Sequence, residues 1–430
     1  MKVSDLPARP CNLKIIIACA VLSATAIAGL GIRAVRAETA QRRLTLDQAI
    51  ELALADNYTL QAKQNELKSV RAGEITAGLS PNPQAGFTVS NIDGLAGPFG
   101  RNDKFYTLQG TIETARKREK RIDLAKAGSS VTSSELTDVR RTVTLQVKTA
   151  FIGVLAGKAR LELATSNLKN LNDVEKLQKL RAEKGDISDL DLLRIEGQRL
   201  AFESDTLDAQ LAVKTAKVAL RQAISQERLS ESFDVIGELI HRPGAALNRE
   251  ELRNRAEELR PDLRAAALAI EKSRADLKLA NAKAVPDIQP QLGFNDTHND
   301  SNFWALGGTI NIPLFDRNQG EIARATADID RNGRLRDAAR AQVIADVDIA
   351  YATVMSAREK YIRINGTYLP KAKTVRERVQ LSYQKGAANL LDYLEAQRSY
   401  REVSKAGIGA LSDLNTALAQ LEAAVGEPLN

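Results

Sequence analysis

The sequence predicts a mainly α-helical chain with a small β part, built as a duplicated helix–β-hairpin–helix unit. Three observations carry that reading. Phe105-Tyr106-Thr107-Leu108-Gln109-Gly110-Thr111-Ile112 returns 198 positions later (105 to 303) as Phe303-Trp304-Ala305-Leu306-Gly307-Gly308-Thr309-Ile310. Both copies alternate with period two, which marks a strand with one apolar and one polar side. The apolar side reads Tyr106, Leu108, Ile112 and, in the second copy, Trp304, Leu306, Ile310, Ile312. The polar side reads Thr107, Gln109, Thr111, Glu113 against Ala305, Gly307, Thr309, Asn311. Third, a long alanine-rich run of helical composition follows each copy, over 116–182 and 318–384.

At the N-terminus, Lys2, Arg9 and Lys14 precede an apolar run over 15–32, and Val35-Arg36-Ala37 offers small residues for cleavage before Glu38. Residues 1–37 therefore read as a signal peptide, cut at Ala37. An uncleaved anchor is the alternative, although 18 apolar or small residues would barely span a bilayer. Lipid attachment at Cys19 is disfavoured, because the apolar run continues past it. The segment holds five basic residues (Lys2, Arg9, Lys14, Arg33, Arg36) and one acid (Asp5), so the formal +7 falls to +3 on its removal. A nucleic-acid partner is not implied. Cys11 and Cys19 leave with it, which excludes disulfides and thiolate metal sites from the mature chain. No later stretch is apolar enough for a transmembrane helix, so any membrane crossing would use strands.

The first repeat is expected over 44–226, a linker over 227–246 and the second repeat over 247–426. Each opens with helix, broken once at Asp56-Asn57 and at Arg260-Pro261, residues that favour caps and first turns. Proline-bearing segments (Pro81, Pro83; Pro286) lead into strand pairs, about 84–93 with 104–113 and 287–295 with 302–312. Pro290 loosens the boundaries of the third strand. Segments 83–113 and 286–315 contain 61 residues (31 + 30) yet hold 8 of the 18 aromatics, including the one Trp. Such enrichment fits a membrane-interface belt, and strands of about ten residues are long enough to cross.

A helix over 318–384 would reach about 100 Å at ~1.5 Å per residue, which suggests coiled-coil packing. Ile322, Ile329, Val343, Val347 and Val354 form an intermittent heptad, and Gly366 with Pro370 predicts a kink. Both runs end in glycine turns, at Lys184-Gly185-Asp186-Ile187-Ser188 and Lys385-Gly386-Ala387-Ala388-Asn389. Gly185 and Gly386 suit a helix C′ position, with Ser188 and Asn389 as the next N-caps. Four strands per chain cannot enclose an accessible lumen, and an open edge cannot face lipid. Transmembrane strands would therefore require several chains to share one barrel.

With these parts the chain resembles the TolC family of outer-membrane efflux factors, from Leu44-Thr45-Leu46-Asp47-Gln48-Ala49 to its end. The most specific pieces are Pro313-Leu314-Phe315-Asp316-Arg317-Asn318-Gln319-Gly320 and the stretch from Tyr383 through Asn389-Leu390-Leu391-Asp392 to Arg398, which look like the heavy-metal (CzcC-like) branch. Glu258-Leu259-Arg260-Pro261-Asp262-Leu263 is widespread in the family. The resemblance implies a homotrimer whose twelve-stranded transmembrane β-barrel continues as a periplasmic α-helical tunnel. It also implies a periplasmic adaptor (membrane fusion protein) and an inner-membrane RND-type pump as partners, with no cofactor and no catalysis by the channel itself. The adaptor would dock at the tips around Gly185, Ser188, Gly386 and Asn389. Asp392 and Glu395 match an acidic pair that lines the closed periplasmic aperture in the family; at i and i+3 they share a helix face and could form acidic rings. The first-copy equivalents are Asp191 and Arg194. Tyr106, Leu108, Ile112, Trp304, Leu306 and Ile310 would face lipid. Cargo is expected to be heavy-metal cations, with drug or secretion cargo, or a non-channel coiled-coil scaffold, as alternatives.

Other signals point elsewhere only weakly. Asp296-Thr297-His298-Asn299-Asp300 reads as a polar hairpin loop rather than a metal site, since stable sites need three or four converging ligands. His241 reads as structural. Arg116-Lys117-Arg118-Glu119-Lys120-Arg121 reads as a solvated collar that also meets anionic headgroups.

Overall fold

The computed structural model describes residues 43–90, 102–185, 188–226, 233–240, 247–298 and 300–429. The expected signal peptide with Cys11 and Cys19, the hairpin loop over 94–101, Asp186, Ile187, His241 and Asn299 lie outside the described residues.

The duplication is visible element by element. A short strand β1 (Arg43–Leu44) precedes α1 (Leu46–Asp56), which opens with a capping box between Thr45 and Gln48. Asn57 ends α1 and caps α2 (Tyr58–Ala77) by accepting from the Leu60 amide at 3.1 Å. Strands β2 (Gln84–Ser90) and β3 (Asp103–Gln109) lead to α3 (Lys117–Glu183) and, past the turn, α4 (Asp189–Ala223). After β4 (Asp234–Val235), the second copy runs α5 (Arg249–Leu259), α6 (Pro261–Lys283), β5 (Ile288–Asp296), β6 (Phe303–Ile310), α7 (Gln319–Arg363), α8 (Leu369–Gln384) and α9 (Leu390–Val425). Both expected breaks in the opening helices are present, and Pro261 starts α6 where a missing N–H does no harm.

The 67 residues of α3 give it a length of roughly 100 Å. The counterpart α7–α8 is interrupted by a π-turn at Ile364–Tyr368, with Pro370 in the first turn after it. Proline cannot donate to the carbonyl four residues back, so the ladder widens there. Val343, Val347 and Val354 of the expected heptad are buried.

Segment 227–246, expected as a linker, is partly structure. Asp234 and Val235 pair in parallel with Arg43 and Leu44, and Phe233 and Val235 are buried against Phe151 and Leu155 of α3. Two-residue strands are too short for a period to register in the sequence.

Helix α3 is the spine of the molecule. It packs α2 and α4 on behalf of its own copy and α6 and α9 of the other. Val147 and Val154 are fully buried in one core and Val343 and Val347 in a second; each such side chain contributes roughly 1.5–3 kcal/mol of burial. The four longer strands form one antiparallel sheet in the order β2–β3–β5–β6, so among the described residues β2 and β6 keep free edges. Among the described residues, no helix is long and apolar enough to cross a membrane.

Candidate functional site

The register of the sheet aligns like faces across all four strands. Phe87, Tyr106, Phe294 and Trp304 stand opposite one another in a row, with ring centroids 5.0, 6.4 and 5.0 Å apart. The next row is Ala85, Leu108, Leu292 and Leu306, and Ile112, Ile288 and Ile310 continue the face. Among the described residues nothing covers this apolar face: Trp304 is 70% and Leu306 87% exposed. The opposite face carries Gln109, whose Nε2 donates to Gln289 Oε1 at 2.7 Å, and Thr309, whose hydroxyl reaches the same oxygen at 3.3 Å. Gly293 lies under the Phe105 ring, where a Cβ would fall 2.7 Å from a ring carbon.

Pro290 does sit within a central strand, and it explains where β3 stops. The Gly110 amide donates to the Pro290 carbonyl at 3.0 Å, but Pro290 has no N–H to return. Paired bonding resumes between Ile112 and Ile288, at 2.8 and 3.2 Å.

Where strands meet helices, the basic run departs from expectation. Lys117 is buried, with Nζ 2.6 Å from Asp287 Oδ1. Asp287 also accepts from the Thr114 amide at 2.8 Å. Arg121 is bonded to Glu113, and Arg118 donates to the Gly78 carbonyl. Lys117 thus fastens the two copies, while Arg118 and Arg121 bind within the first; Arg116, at 81% side-chain exposure and 3.9 Å from Glu119, keeps the solvated position expected of a collar. In the 296–300 loop, the His298 amide donates to Asp103 Oδ1 and Asp296 lies 3.9 Å from Lys104. Among the described residues, no three His, Cys, Asp or Glu side chains converge as a metal site would require.

Mid-wall, Arg260 is the hub that sequence reasoning missed. Only 4% exposed, it forks onto Asp262 (2.8 and 2.6 Å), reaches Asp346 at 3.0 Å and donates to the Ala424 carbonyl at 3.2 Å. Burial alone would raise the Asp262 pKa, but the guanidinium outweighs it and holds the carboxyl below its ordinary value. The available signal was an arginine beside Pro261 at a helix start; Asp346 lies too far along the chain to be read from local pattern.

At the far end, Gly185 (φ +79°) and Gly386 (φ +76°) turn the chain in the left-handed region that suits glycine. Ser188 Oγ accepts from the Leu190 amide at 3.2 Å, and Asn389 Oδ1 from the Asp392 amide at 2.8 Å. Arg181 donates to the Gln384 carbonyl at 3.2 Å, tying one tip to the other. Above the tips, Leu171 and Ile195 pack with Tyr383, Leu390 and Tyr393. Burial pushes the Tyr393 phenol up to about 12. Asp392 and Glu395 project from the first turns of α9 into solvent, whereas Tyr393, Ala396 and Gln397 turn inward. Among the described residues neither carboxylate has a cationic partner, while Asp191 lies 3.5 Å from Arg194 in the first copy. The chain alone does not bring Asp392 and Glu395 together with another acidic pair.

The family described as Outer membrane efflux protein matches residues 49–226 and 252–427, one block per copy. The chain is 25% identical over 388 residues to the cobalt-zinc-cadmium resistance protein CzcC of Cupriavidus metallidurans, covering 89% of this chain and 90% of that protein. It is 22% identical to nodulation protein T of Rhizobium leguminosarum biovar viciae (86% and 79% covered) and 23% identical to the pyoverdine export outer membrane protein OpmQ of Pseudomonas putida (89% and 86%). Among solved structures, it shares its fold with the outer-membrane channel OprN (TM-score 0.74, 18% identity, 89% and 90% covered). The open state of the Neisseria gonorrhoeae MtrE channel (0.74, 20%, 90% and 89%) and CusC (0.73, 18%, 89% and 92%) are similarly alike.

Proposed function

The chain belongs to the outer membrane efflux protein family, and from that premise we propose that three copies close a single duct through which heavy-metal cations leave the cell. It is an efflux channel of the outer membrane that extends into the periplasm, and not an enzyme. The observation that supports metal cargo is the likeness to the cobalt-zinc-cadmium resistance protein, which runs over nearly the full length of both chains. Likeness to a pyoverdine exporter supports a second reading, in which the cargo is a small organic molecule.

Closure by copies follows from the duplication. Helix α3 holds α2 and α4 on one side and α6 and α9 on the other. Its counterpart α7–α8 packs α6 and α9, and among the described residues its second side lies open. That side suits the α2 and α4 of a neighbouring chain, whose free edge carries exposed Leu193, Leu200 and Leu207 at heptad spacing. The free edges of β2 and β6 would join in the same rotation, giving twelve strands with no edge toward lipid. Tyr106, Leu108, Ile112, Trp304, Leu306 and Ile310 then face lipid.

At the periplasmic end, Asp392 and Glu395 from each copy would form two acidic rings at the aperture, attracting cations and repelling each other. The tips at Gly185, Ser188, Gly386 and Asn389 would receive a periplasmic adaptor that links the duct to an inner-membrane RND-type pump. Growth of a deletion strain on zinc, cobalt and cadmium tests the cargo. Metal sensitivity that the intact gene relieves supports metal; unchanged metal tolerance with lost export of an organic compound supports the second reading.

A further inference from the structure

A groove of about 680 Å³ runs along α3 between α2 and α6, remote from the strands, the tips and the acidic pair. Its charge is unbalanced. Arg71, Lys126 and Arg264 line it against a single acid, Glu74, a local balance of +2 (3 − 1). Among the described residues none of the three cations has a side-chain partner, whereas basic residues further down α3 do: Arg141 donates to the Ala423 carbonyl and Lys148 to Glu422. The groove also contains a hydroxyl that the fold leaves unused. Ser129 is 7% exposed, and its buried Oγ has no hydrogen-bond partner. Buried polar groups are ordinarily satisfied, so an orphan in a cationic groove points to an acceptor from outside. Ser133, one turn along, adds a second hydroxyl to the same lining, and Leu259 and Leu268 give it an apolar wall.

Position narrows the ligand. Helix α3 leaves the sheet at Lys117, and the groove spans α3 residues 126 to 137, 9 to 20 residues on. At ~1.5 Å per residue that is roughly 14 to 30 Å from the strands. The headgroup zone on each side of a bilayer is only about 5–8 Å deep, so lipid headgroups do not reach it. The groove is on the outside of the duct. Helix α1 and the β1–β4 pair add a second layer to one face of the helical wall, and three such layers inside would fill the lumen. The adjoining cleft is lined by Leu54 of α1 together with Thr137 and Pro261, which also line the groove. Both therefore open on that outer face.

We propose that this groove binds the cell-wall polymer that a duct must pass through in the periplasm, by a carboxylate-bearing peptide stem on an amino-sugar strand. Guanidinium groups pair with carboxylates in a bidentate fashion, the serine hydroxyls donate to sugar or carboxylate oxygens, and Leu259 and Leu268 pack against the apolar face of a sugar ring. The assignment of inside and outside rests on the duct reading above.

The test is co-sedimentation of the purified full-length channel with isolated cell-wall sacculi, at several salt concentrations. Arg71→Gln/Lys126→Gln/Arg264→Gln should weaken sedimentation at least tenfold, and Ser129→Ala by a few-fold. A control removing equal charge elsewhere (Arg334→Gln/Lys371→Gln/Lys373→Gln) should sediment as the unmodified protein does. Sacculi whose carboxylates have been amidated should bind no better than the triple variant. Undiminished binding by the triple variant, equal binding to amidated sacculi, or preferential competition by phosphorylated lipopolysaccharide sugar would each overturn the proposal. Single-channel conductance of the same preparations separates the two readings: a conducting channel that ignores sacculi sinks only the groove, whereas absent conductance counts against the duct.

Discussion

The ring of Tyr393 stacks on that of Tyr383 with centroids 5.1 Å apart and planes 17° from parallel, so the end of α8 is clamped to the start of α9 across the Gly386 turn. Gln397 donates to the Tyr393 hydroxyl at 3.1 Å, and Arg181 of the other copy holds the Gln384 carbonyl. Asp392 and Glu395 therefore project from a braced helix start, and their placement depends on that brace.

Alkali should loosen the brace. The Tyr393 phenol is raised by burial, as is that of Tyr383. A group whose folded pKa is raised contributes stability that is complete below the unfolded value, near 10, and lost as pH rises through the folded value, about 12 for Tyr393. Absorbance at 295 nm should show late tyrosine ionisation that coincides with loss of tip protection in hydrogen exchange. Tyr393→Phe should remove its share of that alkaline loss; an unchanged profile would exclude Tyr393 as its source.

Asp392→Ala/Glu395→Ala should reduce block of the reconstituted channel by divalent and trivalent cations and weaken its cation selectivity. Planar-bilayer recordings decide this. Block at the same concentration in both proteins would remove the pair from the aperture.

Leu306→Arg should cost about 2–4 kcal/mol per chain in membrane assembly, because it puts a charge on the apolar face near mid-depth. Thr309→Arg, on the opposite face, should cost under about 1 kcal/mol, since a lumen position remains wet. Urea titration of folding into bilayers gives both values. Equal costs would mean the faces are misassigned.

Arg260→Met should lower stability by about 3–5 kcal/mol, because it leaves Asp262 and Asp346 around an empty centre. Arg260→Lys should rescue only part, since an ammonium cannot fork onto Asp262. Acid should act in the same place. The folded pKa of Asp262 is depressed, so its contribution is present above the ordinary carboxylate range near 4 and lost as pH falls through the folded value. Thermal unfolding against pH, for both variants, measures this.

Much of this was legible because duplication repeats each local signal. The paired octapeptides gave the alternation two independent readings, and both glycine tips carried their own N-caps at Ser188 and Asn389. Gly366 and Pro370 marked the π-turn. What escaped were pairings set by tertiary approach. Lys117 looked solvated within its basic run, because its partner Asp287 lies 170 residues away. The β1–β4 pair is too short to show a period. Arg260 shows in the sequence only as a helix break before Pro261 and as part of a family motif, since its hub exists only once α7 brings Asp346 alongside. The acidic pair at the tip came from resemblance as well, because i and i+3 acids at a helix start are also what its dipole favours.

The central claim is that one chain supplies a third of a duct. The native mass of the protein extracted in detergent from isolated outer membranes tests it most directly. A particle of three chains is the predicted result; a single chain, recovered in the soluble fraction without detergent, would contradict it.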